Sequence, residues 1–318
     1  MRPRSRHLPL IAIVLIFAFC NGARASDPQQ DLRDQYQGKT LFLRGFYTGD
    51  KLRYDAAGAL VDSATPGDWT ADGVVLLTDI HLSGNRLTIK ARRLLVSASK
   101  GTFRFLAEDP KNKKKSPLLK IEADLDSPKP SPEQSSAVMA KLFLTPQDNF
   151  VDLVPDYWKF CVAQALAGKS DNCRFSPEVA ALPGMASLVG GNPVTEASRG
   201  SGSSPANSSE SSVVKLVDST GGGMMRVGHG VTPPHVMFAP EPEFAEPARV
   251  AKYQGTLTLM LVVGKDGIPT NVHVVSPLGC GLDLKGVQAV RTWRFKPAEK
   301  DGQPVRVEIA VEVDFHLY

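Results

Sequence analysis

Residues 305–316 alternate without a break: Val305, Val307, Ile309, Val311, Val313 and Phe315 are apolar, while Arg306, Glu308, Ala310, Glu312, Asp314 and His316 stand between them. Period two is the repeat of a strand with one face buried and one wet. Upstream, 256–263 (TLTLMLVV) is nearly continuous apolar and β-branched sequence, as in a strand covered on both faces. Gly264-Lys265-Asp266-Gly267 supplies turn chemistry, and 271–276 (NVHVVS) returns as a second strand. From Asp283 to Arg291 the spacing becomes helical, with Leu284, Val287, Val290 and Trp293 on one face. Asp283 near the start and Arg291 near the end suit the helix dipole. A short helix-compatible stretch at 244–252 precedes these elements. The order predicts an α+β module, a sheet of about three antiparallel strands packed on helices.

The first half reads as a β-rich module with two trailing helices, again α+β. Strands are predicted at 40–47, 73–82 and 86–96, with Ser83-Gly84-Asn85 as a hairpin turn. Segments 103–106 and 118–125 read as a further strand pair joined by 108–116. That connection carries Lys111, Lys113, Lys114 and Lys115 without interleaved aromatics, which suits a solvated loop. Ser131-Pro132-Glu133-Gln134 is a capping-box start for one helix, and 155–168, ending at Gly168, is the second. Asp55, Asp68, Asp72 and Asp79 read as loop or turn acids, since no Asp-x-Asp-x-Asp-Gly loop frames them.

Between the halves, 176–231 is rich in Gly and Ser and nearly free of aromatics. Such a composition buries too little apolar surface to offset the entropy of ordering it, so a disordered linker is expected. At the other end, Arg2, Arg4 and Arg6 precede an apolar run from Leu8 to Cys20, then Ala23-Arg24-Ala25. The run is about 20 Å long as a helix, shorter than a bilayer core, so residues 1–25 read as a cleaved secretory signal. The expected location is the periplasm, with inner-membrane anchoring as the alternative if the signal is retained. The predicted organisation is therefore 1–25 signal, 26–175 β-rich module of unassigned role, 176–231 linker and 232–318 C-terminal module.

Composition narrows the chemistry. The chain is 42% hydrophobic and 22% charged, ordinary values for folded domains, with a net charge of only +4. Neither the charge nor a 7% aromatic content predicts a nucleic-acid partner. After the signal, Cys161, Cys173 and Cys280 remain. In an oxidising compartment Cys161 and Cys173 are the natural disulfide pair; the alternative is a reduced Cys161 facing the core from a helix. No histidine pair has metal-ligand spacing, and neither a G-x-S-x-G elbow nor a Walker-type loop occurs. No catalytic residue, cofactor or metal is expected, and the protein reads as a non-enzyme.

One resemblance is specific. The features run from Tyr253-Gln254-Gly255-Thr256 and Asp266-Gly267 through Val274-Val275-Ser276 and Gly281-Leu282-Asp283. They continue with Trp293-Arg294-Phe295-Lys296-Pro297-Ala298 and Asp301-Gly302-Gln303-Pro304-Val305. In this order they resemble the C-terminal domain of TonB energy transducers over about 232–318. The resemblance implies a periplasmic domain that binds a segment of an outer-membrane TonB-dependent transporter, or another periplasmic partner, by adding a strand to its sheet. The implied contact residues are Phe244 and Ala245, where the family has Tyr-Pro, and Val305, Val307, Ile309, Val311, Val313 and Phe315. A homodimer through the last strand is open on the same grounds. The implied role is energy-coupled transmembrane transport or an accessory adaptor. The alternative is a periplasmic ligand-binding or scaffold protein that uses the module as an interaction platform.

Overall fold

The computed structural model describes residues 27–107, 118–185 and 224–317. The signal at 1–25, the lysine run and most of the Gly/Ser segment lie outside the described residues.

The first half opens with a helix that the hydrophobic pattern did not announce. Helix α1 (Pro28–Tyr36) starts with Pro28 at its first position, and the Asp27 side chain accepts from the Gln29 amide. It buries one side chain, Leu32, so its apolar signal is slight. Strands β1 (Thr40–Phe42), β2 (Lys51–Tyr54), β3 (Val74–Ser83) and β4 (Arg86–Arg93) follow, then β5 (Val96–Ser99), β6 (Thr102–Phe105) and β7 (Leu118–Asp124). Ser83 pairs with Arg86, so Gly84-Asn85 is a two-residue hairpin turn. The large sheet has the order β1-β3-β4-β7-β2.

The expected pairing of 103–106 with 118–125 does not occur. β6 pairs with β5 and with β8 (Arg174–Phe175), while β7 joins β4 and β2. Alternation along one segment states which face is buried and carries no information about the neighbouring strand. The helices are α2 (Pro132–Leu142), α3 (Phe150–Leu153), α4 (Asp156–Leu166) and α5 (Pro177–Ala180). The capping box at α2 is formed: Gln134 N donates to Ser131 Oγ, and Ser131 N donates to Gln134 Oε1.

In the C-terminal half come β9 (His235–Phe238), α6 (Glu246–Val250), β10 (Gly255–Val263), β11 (Pro269–Ser276), α7 (Leu282–Val290), β12 (Arg294–Lys296), β13 (Ala298–Lys300), β14 (Gln303–Val305) and β15 (Val307–Phe315). The sheet is β11-β10-β15, antiparallel throughout, flanked by the two-stranded ribbons β9–β12 and β13–β14. The fold is α+β in both halves. Val305, expected to begin the last strand, ends β14 instead, because the chain changes partner at Arg306.

The halves share a core. Trp69, Phe103 and Trp158 belong to the same buried cluster as Leu257, Leu259 and Leu261 of β10. Helix α4 packs against β11, with the Phe160 ring 4.6 Å from His273. Backbone bonds cross as well: Ala98 N donates to Leu278 O and Cys280 N to Val96 O, both at 2.8 Å. Gly279 has φ +89°, and a Cβ there would lie 2.5 Å from the Val96 carbonyl, so glycine is what lets the two backbones meet. The module expected to stand free of the first half is therefore docked on it. Val179, Leu182, Met185 and Val231, all within the stretch assigned to the linker, are buried.

Two of the four aspartates read as turn acids are core groups. Asp68 is 1% exposed and accepts from Thr70 N, Thr70 Oγ1, Tyr157 Oη and Trp158 Nε1 at 2.5–3.1 Å. Asp72 lies 3.4 Å from Arg93 Nη1; burial nonetheless pushes its carboxyl up to about 6. Sequence cannot tell a turn acid from a buried one when deciding partners lie far along the chain, as Tyr157 and Trp158 do for Asp68 and Arg93 does for Asp72. Asp55, which accepts from the Ala59 amide, and Asp79, beside Lys90 and Arg33, sit in a turn and at the surface.

Cys161 of α4 is disulfide-bonded to Cys173, just before β8, while Cys280 is a buried free thiol. The bridge closes a loop of 12 residues and ties α4, the helix that carries β11, to the β5-β6-β8 sheet. Removing it as Cys161→Ser with Cys173→Ser is expected to cost about 3 kcal/mol by the chain-entropy relation. Urea unfolding of the double variant checks this, and a loss below about 1 kcal/mol counts against it.

Candidate functional site

The two sides of the C-terminal sheet differ. On β11, α4 packs against the strand and Cys173 Sγ lies 3.8 Å from the Val275 carbonyl, so the first half covers this side. On β15, Met225 pairs with Val307 and its amide donates to Arg306 O at 3.0 Å. Beyond Val307, no described residue pairs with the outer side of β15. Amides and carbonyls two residues apart point the same way in a strand. With Arg306 O facing outward, the outward backbone groups of β15 belong to Glu308, Ala310, Glu312 and Asp314. Among the described residues this row has no strand partner apart from the Glu308 amide, which the parallel bridge of Met225 to Val307 engages.

A cleft of about 290 Å³ runs beside this row, walled by 239–244, Trp293 and 312–316. The Phe244 ring meets Phe315 edge-on at 5.7 Å. Trp293 Nε1 donates to Pro240 O at 3.3 Å and thereby holds the 239–244 segment in place. That segment reads Ala-Pro-Glu-Pro-Glu-Phe, and its prolines restrict φ, so the wall has little conformational freedom.

The residues named from the sequence do not all reach the surface. Val307, Val313 and Phe315 are buried, Ile309 and Val311 half-buried, all on the core face of β15. They fix the strand in register, and the groups open to a partner are the backbone and the alternate side chains. Phe244 lines the cleft, Ala245 is 5% exposed behind it, and Val305 lies in the ribbon. Phe295 is 4% exposed, and Trp293, from the apolar face of the predicted helix, packs half-buried against the core while lining the cleft. Glu312, Asp314 and Pro240 were missed as cleft residues. The Ala-Pro-Glu-Pro run was the available signal.

The family model described as Gram-negative bacterial TonB protein C-terminal matches residues 240–317, a span containing the cleft and the open edge. Residues 240–317 are a TonB C-terminal domain. Among solved structures, the solution NMR structure of the Pseudomonas aeruginosa TonB CTD is similar at 18% identity, with a TM-score of 0.23, covering 28% of this chain and 89% of that one. Comparison with curated proteins gave no match. TonB C-terminal domains are interaction modules of the envelope that engage outer-membrane transporters and carry no catalytic activity. Among the described residues of this TonB-domain chain, no helix is long and apolar enough to cross a membrane. No group of three or more His, Cys, Asp or Glu side chains there is arranged to hold a metal ion.

Proposed function

We propose that this chain is an exported envelope protein that captures an extended segment of an outer-membrane transporter, or of another periplasmic partner, as an added strand on β15. The observation that carries the reading is the asymmetry of the sheet among the described residues: the first half covers the β11 side, and none of them pairs with β15 beyond Val307, beside a preformed cleft. Backbone hydrogen bonds to Ala310, Glu312 and Asp314 supply affinity, and side chains entering the cleft between Phe244 and Trp293 supply selectivity. The docked first half holds the sheet rigid and restricts pairing to one edge, which suits an accessory adaptor. Residues 1–25 direct export and are removed. Phe244 contacts the partner directly, whereas Ala245 and the apolar residues of β15 act by positioning the edge.

Proline tests the edge without dismantling the sheet. Ala310 is exposed and its amide points outward, so Ala310→Pro removes one edge donor and leaves the ladder to β10 intact. Capture of a strand-forming peptide by the full chain is expected to fall at least about tenfold, the loss of one or two backbone bonds. The urea midpoint is expected to stay near that of the parent. At Val311, whose backbone faces β10, proline is expected to unfold the domain instead. Undiminished capture by a folded Ala310→Pro variant places the contact elsewhere.

A further inference from the structure

We infer that the strand accepted by β15 is a basic one, with lysine or arginine at alternate positions and apolar residues between them; this rests on the strand-addition reading above. The solvent face of β15 presents Glu308, Ala310, Glu312 and Asp314 in sequence, and Glu241 stands exposed on the opposite wall of the cleft. Among the described residues none of these four acids is in an ion pair; Asp314 accepts from Thr256 Oγ1 and the others keep their charge free. The nearby cations are engaged elsewhere or lie at the ends of the strand. Lys285 pairs with Glu243, Arg249 with Glu246, and Arg306 and His316 flank the acidic row.

In an added strand, side chains directly opposite one another stand about 5 Å apart at Cβ, close enough for opposite charges to attract and like charges to repel. Glu312 and Asp314 stand two residues apart on this face, and Glu308 stands four residues before Glu312 across Ala310, so cations at alternate positions of the partner meet an acid at three of four rungs. The other face of the partner turns toward Phe244 and Trp293 and is apolar. The acids also act against the homodimer: two copies of β15 laid antiparallel set carboxylate against carboxylate. Uncontrolled pairing of the open edge is suppressed by the groups that recruit a basic segment.

The test uses the full chain and four nine-residue peptides. Three alternate valine with lysine, threonine or glutamate, and the fourth is the lysine peptide with proline at alternate apolar positions, which cannot form a strand. Binding is read by fluorescence anisotropy in low and high salt. The lysine peptide is expected to bind about tenfold tighter than the threonine peptide at low salt, the sum of three cross-strand charge pairs. The ratio is expected to shrink to about two- or threefold in 0.3 M salt as these exposed pairs are screened. Glu312→Lys with Asp314→Lys is expected to invert the order, with the glutamate peptide favoured. Equal affinity for the lysine and threonine peptides, or an order unchanged in the double variant, overturns the charge selection while leaving strand addition standing. Binding of the proline peptide as tight as that of the lysine peptide reduces the effect to bulk attraction and also overturns it. Failure of every peptide to bind overturns strand addition itself, and this inference with it.

Discussion

Replacing Asp68 with alanine is expected to cost about 4 kcal/mol, a large share of the stability of a chain this size. Four donors converge on this carboxyl: Thr70 N and Thr70 Oγ1 at one oxygen, Tyr157 Oη and Trp158 Nε1 at the other. The alanine leaves them buried without partners, and each orphaned group costs about 1–3 kcal/mol before the site relaxes. The damage does not stop in the first half. Thr70 Oγ1 also accepts from Gly281 N at 2.9 Å, so the same hydroxyl links Asp68 to the turn that opens α7 of the TonB domain. Urea unfolding is expected to show the loss. Amide exchange is expected to show the Gly279–Leu282 turn losing protection together with α4. A cost below about 1.5 kcal/mol, or loosening confined to the first half, would contradict a shared polar core.

The second large effect is on pH dependence. Asp283, fully buried at the start of α7, accepts from Leu278 N and Gly279 N at 2.8 and 2.6 Å. Burial and the neighbouring Asp68 carboxyl push it up to about 7 from an ordinary 3.8. Burial raises Asp68 in the same direction, against its hydrogen bonds. The groups facing the pair are Thr70, Tyr157, Trp158, the Cys280 thiol and backbone amides, and the buried Arg93 is paired with Asp72. Both carboxyls are raised, as is Asp72, pushed by burial up to about 6, so between about pH 4 and pH 7 the native state binds more protons than the unfolded chain. Stability is greatest at the acidic end of that window and falls as pH rises through it. For Asp283 alone the three-unit span corresponds to at most about 4 kcal/mol. Glu122, Asp148 and Asp156, held below their ordinary values chiefly by hydrogen bonds and ion pairs, add the opposite slope only in stronger acid. Unfolding free energies at pH 5 and pH 8 measure the fall, and Asp283→Asn is expected to flatten it. An unchanged slope in that variant would place the titrating group elsewhere.

Much of the candidate site was legible in the residue pattern. The period-two run ending at Phe315 located the last strand, the Asp266-Gly267 turn located the β10–β11 hairpin, and the order of short motifs located the TonB-like domain. The pattern also marked Val313 and Phe315 as the core face of β15. It could not show that their burial makes them supports for the edge, nor that Trp293, packed against the core, also walls a cleft. Both depend on where 239–244 passes, and that segment has no hydrophobic period to read. Pairing of β6 with β5 and β8, and not with β7, was hidden for a similar reason, since a strand's own sequence does not name its neighbour.

What the chain determined by itself is local: the period of each segment, the capping box of α2, the presence of a hairpin turn after β3 and the alternation of acids and aliphatics along β15. These follow from contacts within a few residues, where backbone sterics and side-chain spacing decide the outcome. The tertiary structure alone decided which sheet edge the first half covers, and that the two halves share a core. It also decided that Asp68 and Asp283 lie buried beside one another at that junction. Those outcomes are set by packing between segments up to about 200 residues apart, here Thr70 against Gly281, and long-range burial has no signature at either position taken singly.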